Sequence, residues 1–238
     1  MPIRAVIFDL GGVVVSSPLE AIREYEKTQG LPPNYLNVAI QARGSSGAFQ
    51  RFERGELSLS EFIPAFSADL SCPENVDHYE RFLAAKSLKP LSTSHVETLR
   101  NLHVDGNVMF QLIMKASDTI NPLMEEAIRR LKGHYKVAAL TNNFALPEES
   151  ISPAQHNLNS LFDEVFESSK LGLRKPDLKI FLHVCKALGV LPEECVFLDD
   201  IAANLKSAKD LGMKTIRVYV GKVHEALRSL RAKLESSW

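Results

Sequence analysis

Residues 3–9, Ile-Arg-Ala-Val-Ile-Phe-Asp, form a short and almost continuous apolar run that ends in a carboxylate, and Leu10-Gly11-Gly12-Val13 follows. A run this short is typical of a strand buried on both faces inside a parallel sheet. Open α/β sheets bind ligands outside the carboxyl ends of their strands, so Asp9 is expected at that edge. The glycines let the backbone turn sharply there. A carboxylate in this place can be a nucleophile, a metal ligand or merely a cap for the next turn.

Three later stretches place polar groups at comparable positions. Residues 137–143, Val-Ala-Ala-Leu-Thr-Asn-Asn, are an apolar strand that ends in a hydroxyl and two amides. Residues 173–177, Leu-Arg-Lys-Pro-Asp, put a cation just before a predicted helix. Residues 195–200, Cys-Val-Phe-Leu-Asp-Asp, are a third apolar strand and end in two adjacent carboxylates. Carboxylates that follow a buried run need a partner, so this last end indicates a functional site.

In this order, the four motifs resemble those of the haloacid dehalogenase superfamily of phosphotransferases and hydrolases. The resemblance covers most of the chain. Residues 197–205, Phe-Leu-Asp-Asp-Ile-Ala-Ala-Asn-Leu, are most similar to the N-terminal phosphatase domain of soluble epoxide hydrolase and its acyl-CoA dehydrogenase-linked relatives. Residues 51–56, Arg-Phe-Glu-Arg-Gly-Glu, are similar to a cap stretch of the same group.

Composition is that of an ordinary soluble globule. The chain has 238 residues, 45% of them apolar, with a formal net charge of −1. Without a basic excess we expect no nucleic-acid partner, and without a long apolar run or a signal-peptide pattern we expect no membrane association. Three cysteines without paired spacing favour a reducing, cytoplasmic compartment. The natural substrate and the oligomeric state are left open.

The order of the elements predicts an α/β protein with two domains. After Asp9 the strand pattern stops until about Tyr135, and the intervening residues show helical periodicity. Residues 16–120 are therefore predicted to be an all-helical cap domain, inserted into a Rossmann-like parallel-sheet core of residues 1–15 and 121–238. The apolar residues 108–114 fit either a helix or a strand.

The resemblance implies a magnesium centre. Asp9 would be the nucleophile and, with Asp200 and the backbone carbonyl of Gly11, a ligand of Mg²⁺. Asp199 and Asn204 would support those ligands from behind. The cluster also needs a cation on physical grounds, because carboxylates at close range raise one another's pKa, and Mg²⁺ suits carboxylate and phosphate oxygens.

The resemblance also implies a small phosphorylated substrate. Thr141 and Asn142 would donate hydrogen bonds to phosphate oxygens, and Lys175 would balance charge on the nucleophile and on the phosphoryl group. From the residues alone, Thr141 and Asn142 could merely end a strand, and Lys175 could be a solvated loop residue. Cap residues would select the substrate, and the candidates are Phe49, Arg51, Phe52 and Arg54, with packing as the alternative for both phenylalanines.

One position departs from the superfamily pattern. Phosphatases of this superfamily usually place a second Asp two residues after the nucleophile, where it protonates the leaving alcohol and later activates water. Gly11 stands there and has no side chain to transfer a proton, although its carbonyl can still bind a metal. Three functions remain open: a Mg²⁺-dependent phosphatase, a weakly active or inactive phosphate-binding or interaction module, and a dehalogenase-like hydrolase.

Overall fold

The computed structural model describes residues 1–116, 119–146 and 153–234. These residues form two compact units. The first contains Met1–Ser17, Glu53–Gly55 and the described residues from Ala116 onward, and the second contains Pro18–Phe52 and Glu56–Lys115. Glu53–Gly55 groups with the first unit although it lies within the stretch 16–120. The division into domains at residues 15/16 and 120/121 stays a prediction.

The second unit is built of helices. They are α1 (Pro18–Thr28), α2 (Tyr35–Ala42), α3 (Ala48–Glu53, whose last residue belongs to the first unit), α4 (Leu59–Leu70), α5 (Asn75–Ala85), α6 (Thr93–Arg100) and α7 (Gly106–Ala116, whose last residue likewise belongs to the first unit). Ser58 and Glu61 start α4 with a capping box: Ser58 N–H donates to Glu61 Oε2 at 2.8 Å, and Glu61 N–H donates to Ser58 Oγ. Residues 108–114, which the sequence left open, are helical.

The first unit is organised around a five-stranded parallel sheet. Its strands are β1 (Ala5–Phe8), β2 (Lys136–Thr141), β3 (Glu164–Glu167), β4 (Cys195–Asp199) and β5 (Lys214–Arg217), in the order β3-β2-β1-β4-β5. The predicted Rossmann-like α/β core is confirmed. Because the order reverses between β1 and β4, the polar residues after these two strands lie at the point where such sheets bind ligands.

Helices cover both faces of this sheet. They are α8 (Pro122–Leu131), α9 (Pro153–Ser160), α10 (Ser168–Leu171), α11 (Leu178–Leu188), α12 (Ala202–Asp210) and α13 (Val223–Leu234). Alternate residues of β1 point to opposite faces, so Val6 and Phe8 pack in the core with α8 and α13, whereas Ala5 and Ile7 pack with α11 and α12. Burial on both faces explains why the strand sequences are continuously apolar.

No helix among the described residues is both long enough and apolar enough to cross a bilayer.

A buried carboxylate joins two helices of the second unit. Glu26 on α1 is 1% exposed, and its two oxygens accept separate backbone hydrogen bonds, from Asn34 and from Leu36, each at 2.8 Å. Asn34 precedes α2 with a left-handed φ of 66° and makes no capping bond with its own side chain. Glu26 therefore supplies the hydrogen-bond acceptors at the start of α2.

We expect Glu26→Gln to lower the free energy of unfolding by about 1–3 kcal/mol, because an amide NH₂ would face a buried N–H donor in place of an oxygen. Urea denaturation measures the change. Glu24→Gln, on the exposed side of the same helix, is the control and should stay within about 0.5 kcal/mol of wild type. Equal stabilities for the two variants would contradict this role for Glu26.

Candidate active site

The ammonium group of Lys175 lies between two carboxylates. Lys175 Nζ is 2.7 Å from Asp9 Oδ1 and 2.9 Å from Asp199 Oδ2, and the lysine is 1% exposed. The alternative that Lys175 is a solvated loop residue is therefore wrong. Burial alone lowers the pKa of Lys175, but Asp199 and Asp9 outweigh this effect and raise it, so the lysine stays protonated.

Asp9 follows β1 and uses only one of its oxygens within the protein. Oδ1 accepts from Lys175 and, at 2.7 Å, from the backbone N–H of Leu10. No donor within the described ranges reaches Oδ2. Burial raises the pKa of Asp9 well above its usual value; Lys175 opposes this shift, and Asp199 adds to it. Asp9 therefore offers one anchored oxygen and one that is available to a ligand or a reaction partner.

Asp199, at the end of β4, is fully buried, and both of its carboxylate oxygens accept hydrogen bonds from the protein. Its oxygens accept from the side-chain amide of Asn204 at 3.0 and 3.2 Å, and Oδ1 also accepts from the Ile201 N–H at 2.7 Å. With Lys175 as a further donor, Asp199 has little capacity left for an external ligand. This arrangement fits a residue that orients Lys175 and the start of α12.

Asp200 is the partly exposed carboxylate of the group. Burial, followed by the charge of Asp199, raises the pKa of Asp200 to about 6. Gly12 lies against it: the glycine has a φ of 76°, and a Cβ atom there would be 2.4 Å from Asp200 Oδ2. Only glycine meets both conditions without strain, so Gly12 leaves room for this carboxylate.

Asp9, Asp199 and Asp200 form an acidic cluster in which one carboxylate oxygen of each residue lies within 4.8 Å of the other two. Because hydrogen bonds already occupy Asp199, Asp9 and Asp200 are the members suited to holding a divalent cation. Lys175 is the ammonium group that contacts this cluster, so three carboxylates and one cation leave two formal negative charges in a largely buried place. Oxygen-only donors with excess negative charge are what Mg²⁺ prefers. The predicted Gly11 carbonyl ligand adjoins the cluster in sequence, and its role stays a prediction.

The end of β2 contacts the Lys175 backbone. The side-chain amide of Asn142 donates to the carbonyl of Lys175 at 3.0 Å, and its oxygen accepts from the Lys175 N–H at 2.9 Å. Thr141 is buried, and its hydroxyl lies 3.4 Å from the Asn142 carbonyl. The structure thus brings Asn142 and Lys175 together, and Asn142 uses its side chain to hold the Lys175 backbone. Phosphate contacts by Thr141 and Asn142 remain a prediction.

The candidate substrate-selecting residues divide by environment. Phe52 is fully buried and stacks on Phe62 with ring centroids 4.2 Å apart, and Phe49 packs against Phe66 at 5.6 Å. Packing explains both phenylalanines. Arg51 pairs with Glu56 at 3.5 Å, and Arg54 is half-buried.

The residue pattern missed one contact beside the site. Glu53 Oε2 accepts from Nε of Arg174 at 2.8 Å and lies 2.6 Å from Nη2 of the same side chain, and Arg174 is the neighbour of Lys175 in the chain. Both residues lie in stretches that the motifs single out, but they are 121 positions apart. No local spacing indicates such a pair.

Fold and site together define a class: a doubly wound α/β domain with an acidic centre at the switch point of its sheet. The chain belongs to the haloacid dehalogenase-like hydrolases, whose family model matches residues 3–212.

The relatives of this chain include the two kinds of protein that the motifs indicated. The chain is 33% identical over 234 residues to acyl-CoA dehydrogenase family member 10 of Mus musculus, covering 97% of this chain and 19% of that protein. It is 29% identical over 223 residues to bifunctional epoxide hydrolase 2 of Sus scrofa, covering 92% and 37% respectively. The chain thus spans well under half the length of these two relatives. A sesquiterpene phosphatase of Aspergillus oryzae is 24% identical over 211 residues, 88% of this chain and 87% of that protein.

Solved structures show the same fold. A HAD-like family hydrolase from Porphyromonas gingivalis is 24% identical, with a TM-score of 0.59, over 97% of this chain and 99% of that one. A HAD family enzyme from Bacteroides thetaiotaomicron, in complex with magnesium and inorganic phosphate, is 18% identical, with a TM-score of 0.54, over 92% and 96%.

We expect Lys175→Met to lower the free energy of unfolding by about 3–5 kcal/mol, because it leaves two buried carboxylates without their cation. Adding Asp9→Asn to this variant should restore part of the loss, since one of the two charges is then gone. Urea denaturation without added metal measures both. Lys179→Met, an exposed lysine on α11, is the control, and a Lys175→Met loss as small as that of the control would contradict the buried charge pair.

Proposed function

We propose that this protein is a Mg²⁺-dependent phosphatase that hydrolyses a small phosphorylated metabolite through an aspartyl-phosphate on Asp9. The observation that carries the proposal is the state of Asp9. Lys175 and the Leu10 N–H fix one carboxylate oxygen, and the second oxygen accepts nothing from the described residues. A carboxylate held in this way at the ligand-binding edge of the sheet is positioned to act as a nucleophile.

In the first half of the reaction, Asp9 Oδ2 attacks phosphorus as the bond from phosphorus to the leaving oxygen breaks. In the second half, water attacks the aspartyl-phosphate, releasing inorganic phosphate and the Asp9 carboxylate. Lys175 stays protonated and offsets negative charge on Asp9 and on the transferred group. Thr141 and Asn142 would donate to the phosphate oxygens, the latter through its backbone N–H.

Asp9, Asp200 and the carbonyl of Gly11 would hold Mg²⁺. When bound, the ion neutralises charge on the transferred phosphoryl group, which phosphoryl transfer requires above all else. Asp199 and Asn204 would orient these groups without touching the ion, in agreement with the bonds that already occupy Asp199.

Similarity to other proteins supports the substrate class. The Aspergillus oryzae relative is a phosphatase and matches this chain over most of both lengths. The Bacteroides thetaiotaomicron enzyme of the same fold binds magnesium and inorganic phosphate.

Gly11 favours a second candidate, a phosphate-binding module with little or no turnover. General acid–base help is commonly worth about 10²–10⁴ in rate, and Gly11 has no proton to give. The same carboxylates and Lys175 would then hold a phosphorylated ligand without hydrolysing it.

We expect Asp9→Asn to abolish Mg²⁺-dependent hydrolysis of p-nitrophenyl phosphate while the protein stays folded, because the amide keeps the volume and loses the nucleophile. Release of nitrophenol with and without Mg²⁺ measures the effect. Asp210→Asn, an exposed aspartate on α12, is the control and should retain wild-type activity. If Asp9→Asn retained more than about a tenth of the wild-type rate, Asp9 would not be the nucleophile.

We expect the rate of the wild-type protein to depend steeply on the pKa of the leaving group, because no acid at position 11 protonates the leaving oxygen. Aryl phosphates should react far faster than alkyl phosphates, with a burst of phenol before a slow steady state. Gly11→Asp should flatten this dependence and raise alkyl phosphate turnover by up to about 10²–10⁴. A positive φ occurs at Gly12 and not at Gly11, so the left-handed backbone that disfavours a side chain is confined to Gly12 of this pair.

Gly11→Asn is the matched control, because it adds a side chain of the same size that cannot supply the proton. The measurement is turnover of phosphate esters of graded leaving-group pKa by the three proteins. A wild type that hydrolyses alkyl and aryl esters equally well, without a burst, would show that another residue supplies the proton.

A further inference from the structure

Glu53 makes a buried ion pair beside the catalytic lysine. Its side chain is 7% exposed; Nε of Arg174 donates to Oε2 at 2.8 Å, and Nη2 lies 2.6 Å from the same oxygen. Arg174 is itself three-quarters buried. A side chain held by two nitrogens in a buried place has little freedom, so the backbone at position 174 is fixed with it.

A second contact ties the backbone of Glu53 to the same segment. The hydroxyl of Ser168, which is fully buried, donates to the Glu53 carbonyl at 2.6 Å and accepts from the Asn143 N–H at 2.9 Å. Gly55, with a φ of 69°, is so close that a Cβ atom there would lie 2.5 Å from the Ser169 carbonyl oxygen. Residues 53–55 therefore contact both ends of the segment that leads from α10 to Lys175: Ser168 and Ser169 at its start and Arg174 at its end.

Asn142 and Glu53 hold successive residues of this segment. The Asn142 side chain makes hydrogen bonds to the N–H and to the carbonyl of Lys175, while Glu53 binds the side chain of Arg174. Burial raises the pKa of Glu53, and the charges of Arg174 and then Lys175 oppose the shift, so the Glu53 carboxylate lies within electrostatic reach of the catalytic ammonium group. The Lys175 ammonium group contacts Asp9 and Asp199 at the same time, so its backbone can shift only slightly before one of the two contacts is lost.

We propose that Glu53 is a positioning residue: by holding Arg174, it fixes the backbone that presents Lys175 to Asp9 and Asp199. The inference deepens the proposed phosphatase function of this site and rests on it where activity is measured. Displacing a catalytic group by about 1 Å can cost about 10²-fold in rate, so an anchor that never touches the substrate has a measurable effect.

The test compares Glu53→Ala and Glu53→Gln with wild type in the hydrolysis of aryl and alkyl phosphates. We expect Glu53→Ala to lower kcat about 10–100-fold. KM should change by less than about threefold, because the substrate itself is not touched. Glu53→Gln keeps an oxygen that accepts from Arg174, so it should recover most of the rate. The loss should be equal for both ester types, since Lys175 acts on the phosphoryl group and not on the leaving oxygen.

Glu125→Ala on α8 is the matched control. Arg129 donates to Glu125 Oε1 through Nε at 3.2 Å and Nη2 at 2.7 Å, the same geometry in an exposed pair away from the site. This variant should keep wild-type kinetics.

Hydrogen exchange gives a readout that does not need activity. The Lys175 amide donates to Asn142, and we expect its exchange to speed up in Glu53→Ala while the amides of β1 exchange as in wild type. If wild type hydrolyses no phosphate ester, the phosphatase proposal fails, and the exchange at Lys175 still decides the positioning role. Should Glu53→Ala not fold, Arg174→Lys replaces it in both measurements, where slower turnover and faster Lys175 exchange are again expected, and Glu53→Gln should again stay close to wild type.

Two results would overturn the inference. The first is wild-type kcat and wild-type exchange at Lys175 in Glu53→Ala, or in Arg174→Lys where that variant replaces it. The second is a loss of rate confined to alkyl phosphates, which would make Glu53 a proton donor to the leaving group and not a positioning residue.

Discussion

The shared hydrogen bonds of the Lys175 ammonium group with Asp9 and Asp199 are the interaction on which this site depends. Parallel strands β1 and β4 are neighbours, with Phe8 opposite Leu198, so the residues that follow are brought side by side whatever their charge. Carboxylates at such a distance repel one another, and burial makes each charge more costly. Lys175 offsets part of this cost inside the protein. The remaining negative charge is what makes the place suitable for a divalent cation.

The same interaction places Lys175, a loop residue, at the centre of the site. Lys175 belongs to no strand, and it lies on the segment between α10 and α11. Its backbone must therefore be fixed by other means, and polar side chains do so: Asn142 clasps Lys175 itself, and Glu53 holds Arg174. The fold and the site depend on each other in this way. The sheet brings the carboxylates together, and hydrogen bonds made by Asn142 and Glu53 fix the position of Lys175, the cation that pairs with them.

The sequence predicts those parts of this arrangement that local patterns encode. Short apolar runs predict the buried strands, and the polar residue at the end of each run predicts the site because carboxyl ends of parallel strands share an edge. Residues 108–114 stayed ambiguous because Val108 and Leu112 are apolar and yet exposed, which blurs the helical period that Met109, Phe110 and Ile113 set on the buried side. The burial of Lys175 and the Glu53–Arg174 pair leave no local pattern, since each depends on partners far away in the chain.

The two glycines after Asp9 have different physical explanations. Gly12 is required by geometry: its φ of 76° and the space taken by Asp200 exclude a side chain. Gly11 has no positive φ, so the backbone conformation does not call for a glycine there. If Asp9 is the nucleophile, as proposed, a site with the buried cation and the carboxylates but no acid at position 11 would suit phosphate esters whose leaving groups need no proton, or would hold phosphate without releasing it.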